Sequence, residues 1–217
     1  MNKECVTFQE VYAQGRDYAM KTAVVLVGGA ARRAGGREKY LFSYQGKTFL
    51  ERLIEALHPV VDEILVVAKD SSQCEQFINL NAVRCVADIH PGDGPVGGLQ
   101  TGAIYARGDL IFAVACDMPF VRPEVVKRLF SLIGEHDAVV PCWDAERLEP
   151  LHAVYRRSAL RNYFQVESSP SLRGVVRRLS TRYISVETLR ELDPSLVTFT
   201  NINRLEELEG MKREEIR

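Results

Sequence analysis

Two stretches of this chain are apolar or β-branched at every position: residues 22–27 (TAVVLV) and residues 110–116 (LIFAVAC). A strand with one wet face alternates apolar and polar residues, so runs without alternation belong to strands covered on both sides. Something must cover them, and helix signals follow. Thr48 and Glu51 have the spacing of a capping box, and Phe49, Leu50, Leu53, Ile54 and Leu57 form one face of the helix it opens. Residues 64–68 then read as a strand, 73–79 as a helix, 83–87 as a strand and 95–107 as a glycine-tolerant helix. Pro123 suits the first turn of another helix, striped by Val125, Val126, Leu129, Phe130 and Ile133. Strand, helix, strand, helix implies parallel pairing. The predicted fold is α/β: a doubly wound, three-layer α/β/α and mostly parallel sheet.

The second half is less regular. Residues 138–141 and 148–155 are expected strands, the latter antiparallel or at an edge because Pro150 cannot donate to a ladder. Short basic helices and a strand near 183–186 follow, and residues 199–208 suggest a short strand and a final helix. The 217 residues suit one domain, expected over 20–217. Residues 1–19 are interrupted by Lys3, Glu4, Glu10, Arg16 and Asp17 and read as a dispensable extension rather than a secretory signal. A net charge of -1 argues against a surface built for nucleic acid. No apolar run reaches the ~20 residues of a membrane helix. Five cysteines, scattered and without a CxxC pair, suggest reduced thiols in a cytoplasmic protein rather than a disulfide framework or zinc site.

Ligands of open parallel sheets bind beyond the carboxyl ends of the strands, and three unusual segments are expected there. Residues 28–39 (GGAARRAGGREK) combine glycines, which let amides approach phosphate, with the cations Arg33 and Lys39. The segment is not a P-loop, and it is too long and basic for a dinucleotide fingerprint; a plain turn is the alternative. Residues 91–98 (PGDGPVGG) offer so little side chain that a packing role is not expected. They suit a flat ligand lying against backbone, or else a surface loop. Residues 116–119 (CDMP) deliver Asp117 from a buried strand to its open end. Mg²⁺ often takes only one or two protein carboxylates and completes its shell with phosphate and water; the alternative is an aspartate that caps a turn.

Taken in order, these segments resemble the molybdenum-cofactor guanylyltransferase family of the nucleotidyltransferase superfamily. That family opens with a strand and L-A-G-G-x-S-x-R-M-G-x-x-(D/E)-K, which residues 26–39 follow with Arg33, Gly35 and Lys39 in register. Its G-P-L-x-G loop is similar to residues 94–98, its C-D-M-P to residues 116–119, its P-L-x-A-(L/V)-Y to residues 150–155 and its N-I-N to residues 201–203. Val27, Ala31 and Ala34 depart from the usual Ala, Ser and Met. The lost serine hydroxyl removes one phosphate contact from a loop that works mainly through backbone, Arg and Lys.

The resemblance implies transfer of GMP from GTP to the terminal phosphate of molybdenum (or tungsten) molybdopterin, with release of pyrophosphate. It implies Mg²⁺ on Asp117, the triphosphate on Lys39 and Arg33, and nucleotide against Leu26, Val27, Gly28 and Gly29. Asp88 would contact the nucleoside, and the loop at Gly94 and Pro95 the base. For the acceptor, Leu151, His152, Arg156, Arg173, Arg177 and Arg178 are candidates, with His152 more simply read as structural. Transient contact with molybdoenzymes or cofactor-delivery proteins belongs to the same expectation. A cytidylyltransferase for the same cofactor, another NTP-dependent nucleotidyltransferase such as a sugar-phosphate enzyme, and a non-enzymatic nucleotide or cofactor binder are the rival readings.

Overall fold

A computed structural model describes residues 19–28, 38–78, 80, 83–204 and 206–209. Gly29, Arg33 and all but the last residue of the 1–19 extension lie outside the described residues. Seven strands form the main sheet: β1 (Lys21–Leu26), β4 (Glu63–Ala68), β5 (Val83–Ala87), β6 (Leu110–Ala115), β7 (Ala138–Cys142), β8 (His152–Arg156) and β9 (Thr181–Ser185). Their spatial order is β5-β4-β1-β6-β8-β7-β9. β2 (Ser43–Tyr44) and β3 (Lys47–Thr48) make a separate small hairpin. β1 pairs in parallel with β4 and β6, β4 with β5, and β7 with β9. β8 alone among the seven is reversed, antiparallel to both β6 and β7.

Successive residues of β1 point to opposite faces, and each face has its own cover. Ala23 and Val25 pack with Leu50, Leu53 and Leu57 of α1 (Phe49–Leu57) and with Val125, Val126 and Leu129 of α4 (Pro123–Ser131). Val24 and Leu26 pack with Leu99 and Ala103 of α3 (Pro95–Tyr105), Leu160 of α5 (Arg157–Val166) and Val175 of α6 (Leu172–Arg178). This is the three-layer α/β/α arrangement expected from the sequence. The capping box forms as well: Thr48 Oγ1 accepts from Glu51 N at 3.2 Å, and Glu51 accepts from Thr48 N at 2.7 Å.

Other expectations need correction. The helix placed at 73–79 is α2 (Ser71–Glu75), started two residues earlier because Asp70 caps it, its carboxylate accepting from Gln73 N at 2.8 Å. The strand expected across 148–155 is antiparallel, as one of the two expectations had it, but it begins only at His152, so Pro150 precedes it; β8 is internal and the edges are β5 and β9. No strand forms at Phe199, which ends the 3₁₀ turn Val197–Phe199 ahead of α7 (Glu206–Glu209). Glycines of the 91–98 segment and beyond do pack. A Cβ at Gly98 would lie 3.0 Å from Leu26 Cδ2, and one at Gly102 2.5 Å from Val24 Cγ1, so α3 sits on β1 at a distance only glycine permits. Cysteines remote in sequence also meet: the Cys74 and Cys85 sulfurs approach to 2.7 Å between α2 and β5, both as free thiols.

Candidate active site

The parallel strands end on one side of the sheet, and two adjoining clefts open there. The larger, about 650 Å³, is lined by the ends of β1 (Leu26, Val27, Gly28) and β6 (Cys116, Asp117), with Lys39, Glu149, Leu151 and Asn203. Its neighbour, about 370 Å³, is lined by Lys69, Asp88, Pro91, Gly92 and Gly94. Leu26, Gly28 and Pro95 border both, so a ligand spanning the two would cross the end of β1.

Asp117 reaches the larger cleft because β6 stops at Ala115 and the chain turns, with Met118 N donating to the Ala115 carbonyl at 3.3 Å. The turn is pinned from the far end of the chain, where Ile202 N donates to the Asp117 carbonyl at 2.7 Å. Lys39, on the 3₁₀ turn Lys39–Leu41, brings Nζ to 2.8 Å from Asp117 Oδ2 and 2.6 Å from Asn203 Oδ1. Asp117 Oδ1 is buried and has no hydrogen-bond partner among the described residues. A turn-capping aspartate would spend its oxygens on nearby amides; this one gives Oδ2 to Lys39 and leaves Oδ1 without a partner.

Such an oxygen fits a hard divalent cation. Among the described residues no group of three or more His, Cys, Asp or Glu side chains could hold a metal. Of the cleft's carboxylates, Glu38 is bonded to Lys69 and Glu149 to Trp143, which leaves Asp117 as the donor for an ion completed by phosphate and water.

Asp88 follows β5 and borders the smaller cleft, but its Oδ1 is engaged, accepting from Thr101 Oγ1 at 2.6 Å and His90 N at 3.0 Å. It ties the loop to α3. Gly94 caps α3 with φ +68°, a left-handed backbone that favours glycine. Lys69 stands at the same cleft and donates to Glu38 at 2.8 Å. The bond to Glu38 raises its ammonium pKa.

The acceptor candidates separate. Leu151 lines the larger cleft. His152 is fully buried between Phe112 and Phe199, its Nε2 3.2 Å from Thr198 Oγ1, and burial pulls its pKa down to about 3; it lines neither cleft. Arg156 pairs in register with Leu110, at the opposite end of β6 from Asp117, and donates to the carbonyls of His136 and Gly134. Arg178 borders a different hollow and pairs with Glu167 at 3.6 Å, while Arg173 donates to the Glu146 carbonyl and Arg177 lines neither cleft.

Three groups were not singled out from the sequence. Lys69 could have been, since it follows β4 as Asp117 follows β6. Asn203 lay within a motif to which no role had been attached. Glu149, whose Oε1 accepts from Trp143 Nε1 at 2.8 Å, carries no signal in a single sequence. Cys116 is no hidden nucleophile: burial, then the neighbouring Asp117 carboxylate, push its thiol up to about 12.

Residues 23–183 match the family described as the MobA-like NTP transferase domain. The chain belongs to this family. It is 38% identical over 202 residues to a probable molybdenum cofactor guanylyltransferase of Methanosarcina mazei, covering 89% of this chain and 90% of that protein. It is 34% identical to a molybdenum cofactor guanylyltransferase of Desulfosudis oleivorans, covering 87% and 92%. The crystal structure of molybdopterin-guanine dinucleotide biosynthesis protein A from Archaeoglobus fulgidus superposes with a TM-score of 0.70 at 33% identity, over 88% of this chain and 95% of that one. Family membership makes the chain a nucleotidyltransferase, with both clefts at the strand ends where such a fold binds its ligands.

Proposed function

We propose that the protein transfers GMP from GTP to the terminal phosphate of molybdenum (or tungsten) molybdopterin, releasing pyrophosphate and forming the guanine dinucleotide cofactor. The observation that carries this reading is the Lys39–Asp117 pair with its unpartnered carboxylate oxygen, set in a cleft at the end of β6. The names of the relatives supply the base and the acceptor.

An oxygen of the acceptor's phosphate attacks the α-phosphorus of GTP. The bond between that phosphorus and its bridging oxygen breaks, and pyrophosphate leaves with the electron pair. The attacking oxygen is already anionic, so no general base is required. The buried His152 and the protonated Cys116 fit a site without one. What the chain must do is bring anions together. Lys39 supplies a positive charge at the strand ends, and Asn203 and Asp117 hold its ammonium in the cleft. Asp117 is the residue that would hold Mg²⁺, which would supply positive charge against the negative charge gathered on phosphate. Leu26, Val27 and Gly28 offer the nucleotide a backbone floor, Gly94 and Pro95 border the base, and Lys69 stands as a second cation beside it. Free thiols at Cys74, Cys85, Cys116 and Cys142 suit a reducing, cytoplasmic setting.

Melting curves with each of the four nucleoside triphosphates and Mg²⁺ test the proposal. GTP should give the largest shift, since a ligand at a hundred times its Kd adds about 2.7 kcal/mol. A shift with CTP and none with GTP would replace guanylyl by cytidylyl transfer.

A further inference from the structure

Glu149 is out of place in a cleft that must receive two phosphate-bearing substrates. Its backbone is fixed, with its N–H donating to the Pro141 carbonyl at 2.9 Å and its own carbonyl accepting from His152 N at 3.1 Å. Its side chain is aimed by Trp143, whose indole N–H donates to Oε1 at 2.8 Å. Trp143 is held in turn by its backbone bond to the Arg147 carbonyl and by an edge contact with Phe199, ring centroids 6.0 Å apart. The other carboxylate oxygen has no partner among the described residues, and no Lys or Arg there lies within ion-pair distance. Burial raises the pKa of this carboxyl, against the lowering effect of the Trp143 hydrogen bond.

A carboxylate so placed repels phosphate, and it attracts an edge of adjacent N–H donors. Glu149 lines the cleft of Asp117 and Lys39 and is absent from the neighbouring one at Asp88 and Gly94. On the proposed reaction the guanine occupies that neighbour, which leaves Glu149 on the acceptor side. We propose that Glu149 reads the pterin ring of the acceptor, its carboxylate accepting from the ring N3–H and the 2-amino group. This rests on the guanylyl-transfer reading, in which the acceptor is a pterin. Trp143 is then a positioning residue, holding the carboxylate edge-on to the ring.

The chain holds a single tryptophan, so its indole ¹H–¹⁵N signal reports on this contact directly. The full-length protein is titrated with 6-hydroxymethylpterin and with 6-hydroxymethyllumazine, which carries a carbonyl in place of the 2-amino group. Pterin should move the indole signal and bind at least about tenfold more tightly than lumazine, because the missing donor leaves a carboxylate oxygen facing a carbonyl. In Glu149→Gln the side chain presents one acceptor and one donor, which matches lumazine, so the preference should reverse. The melting shift given by GTP and Mg²⁺ should stay at the parental value.

Equal binding of the two ring systems by the parent overturns the proposal, as does the absence of any indole shift at millimolar pterin. A Glu149→Gln protein that loses both ligands alike makes Glu149 a structural latch for Trp143. One whose GTP shift falls makes it a nucleotide or metal group. Failure of the guanylyl reading itself appears separately, as a parent that GTP does not stabilise.

Discussion

Lys39 and Asp117 neutralise each other across 2.8 Å, with about a quarter and a fifth of their side chains exposed. On the proposed reaction Lys39 serves the phosphates and Asp117 the cation, Oδ1 being the carboxylate oxygen that the ion pair leaves over. Asp117→Asn keeps the volume and loses the charge. Its apo stability should change by no more than about 1 kcal/mol, because a partly exposed pair contributes little. Pyrophosphate release with Mg²⁺ and a phosphorylated pterin acceptor should fall ~10²–10³-fold, as when one preorganised electrostatic group is removed. Loss of stability with turnover per folded molecule intact would return Asp117 to a capping role. Lys39→Ala, scored by the same melts, should weaken GTP far more than guanosine. Equal weakening would put the ammonium on the nucleoside rather than on the phosphates.

Among the elements, β1, β4 and β6 were plain in the sequence because burial on both faces leaves no polar position to confuse the period. The capping box was equally plain, since Thr48 and Glu51 satisfy each other within four residues. β8 was harder. Its antiparallel direction was one of two expectations drawn from Pro150, but what sets it is pairing with Val114 and Val139, remote in the chain. The same is true of Asp117, whose place beyond a strand was legible while its lysine partner, 78 residues away, was not. The packing of Gly97 and Gly98 was missed because composition alone does not show which glycines of a segment lie against the sheet and its loops, even where Gly98 also borders a cleft. The packing of the α3 glycines is open to test. Gly102→Ala should destabilise by about 1–3 kcal/mol through overpacking against Val24, outweighing the roughly 1 kcal/mol that alanine gains over glycine in a helix. Paired with Val24→Ala it should recover, with a coupling of about 1 kcal/mol or more in a double-mutant cycle by urea unfolding. Stabilisation by Gly102→Ala alone would mean that α3 rides farther from β1.

For the molecule as a whole, acid stability should carry the mark of His152. The unfolded chain protonates this imidazole near pH 6.5 and the folded chain only near pH 3. Its contribution to stability is therefore complete above pH 6.5 and declines as the pH falls toward 3, by up to about 1.4 kcal/mol per pH unit. His152→Gln, which can still bond Thr198, should unfold with a shallower decline between pH 6.5 and 4 in a urea series. Parallel curves for the two proteins would mean that the folded imidazole takes up its proton normally. The reversal of β8 has a consequence for how such a chain can change. In the half built from β5, β4, β1 and β6, the segments at the clefts follow their strands, and each leads into the helical layers. In the other half, residues 142–151 reach the cleft before their strand begins, as a hairpin whose two ends are held side by side by β7 and β8. If the acceptor lies where we propose, that stretch is a cassette: a foreign hairpin of different sequence grafted between the same two strands should exchange what the protein accepts while what it donates is inherited unchanged.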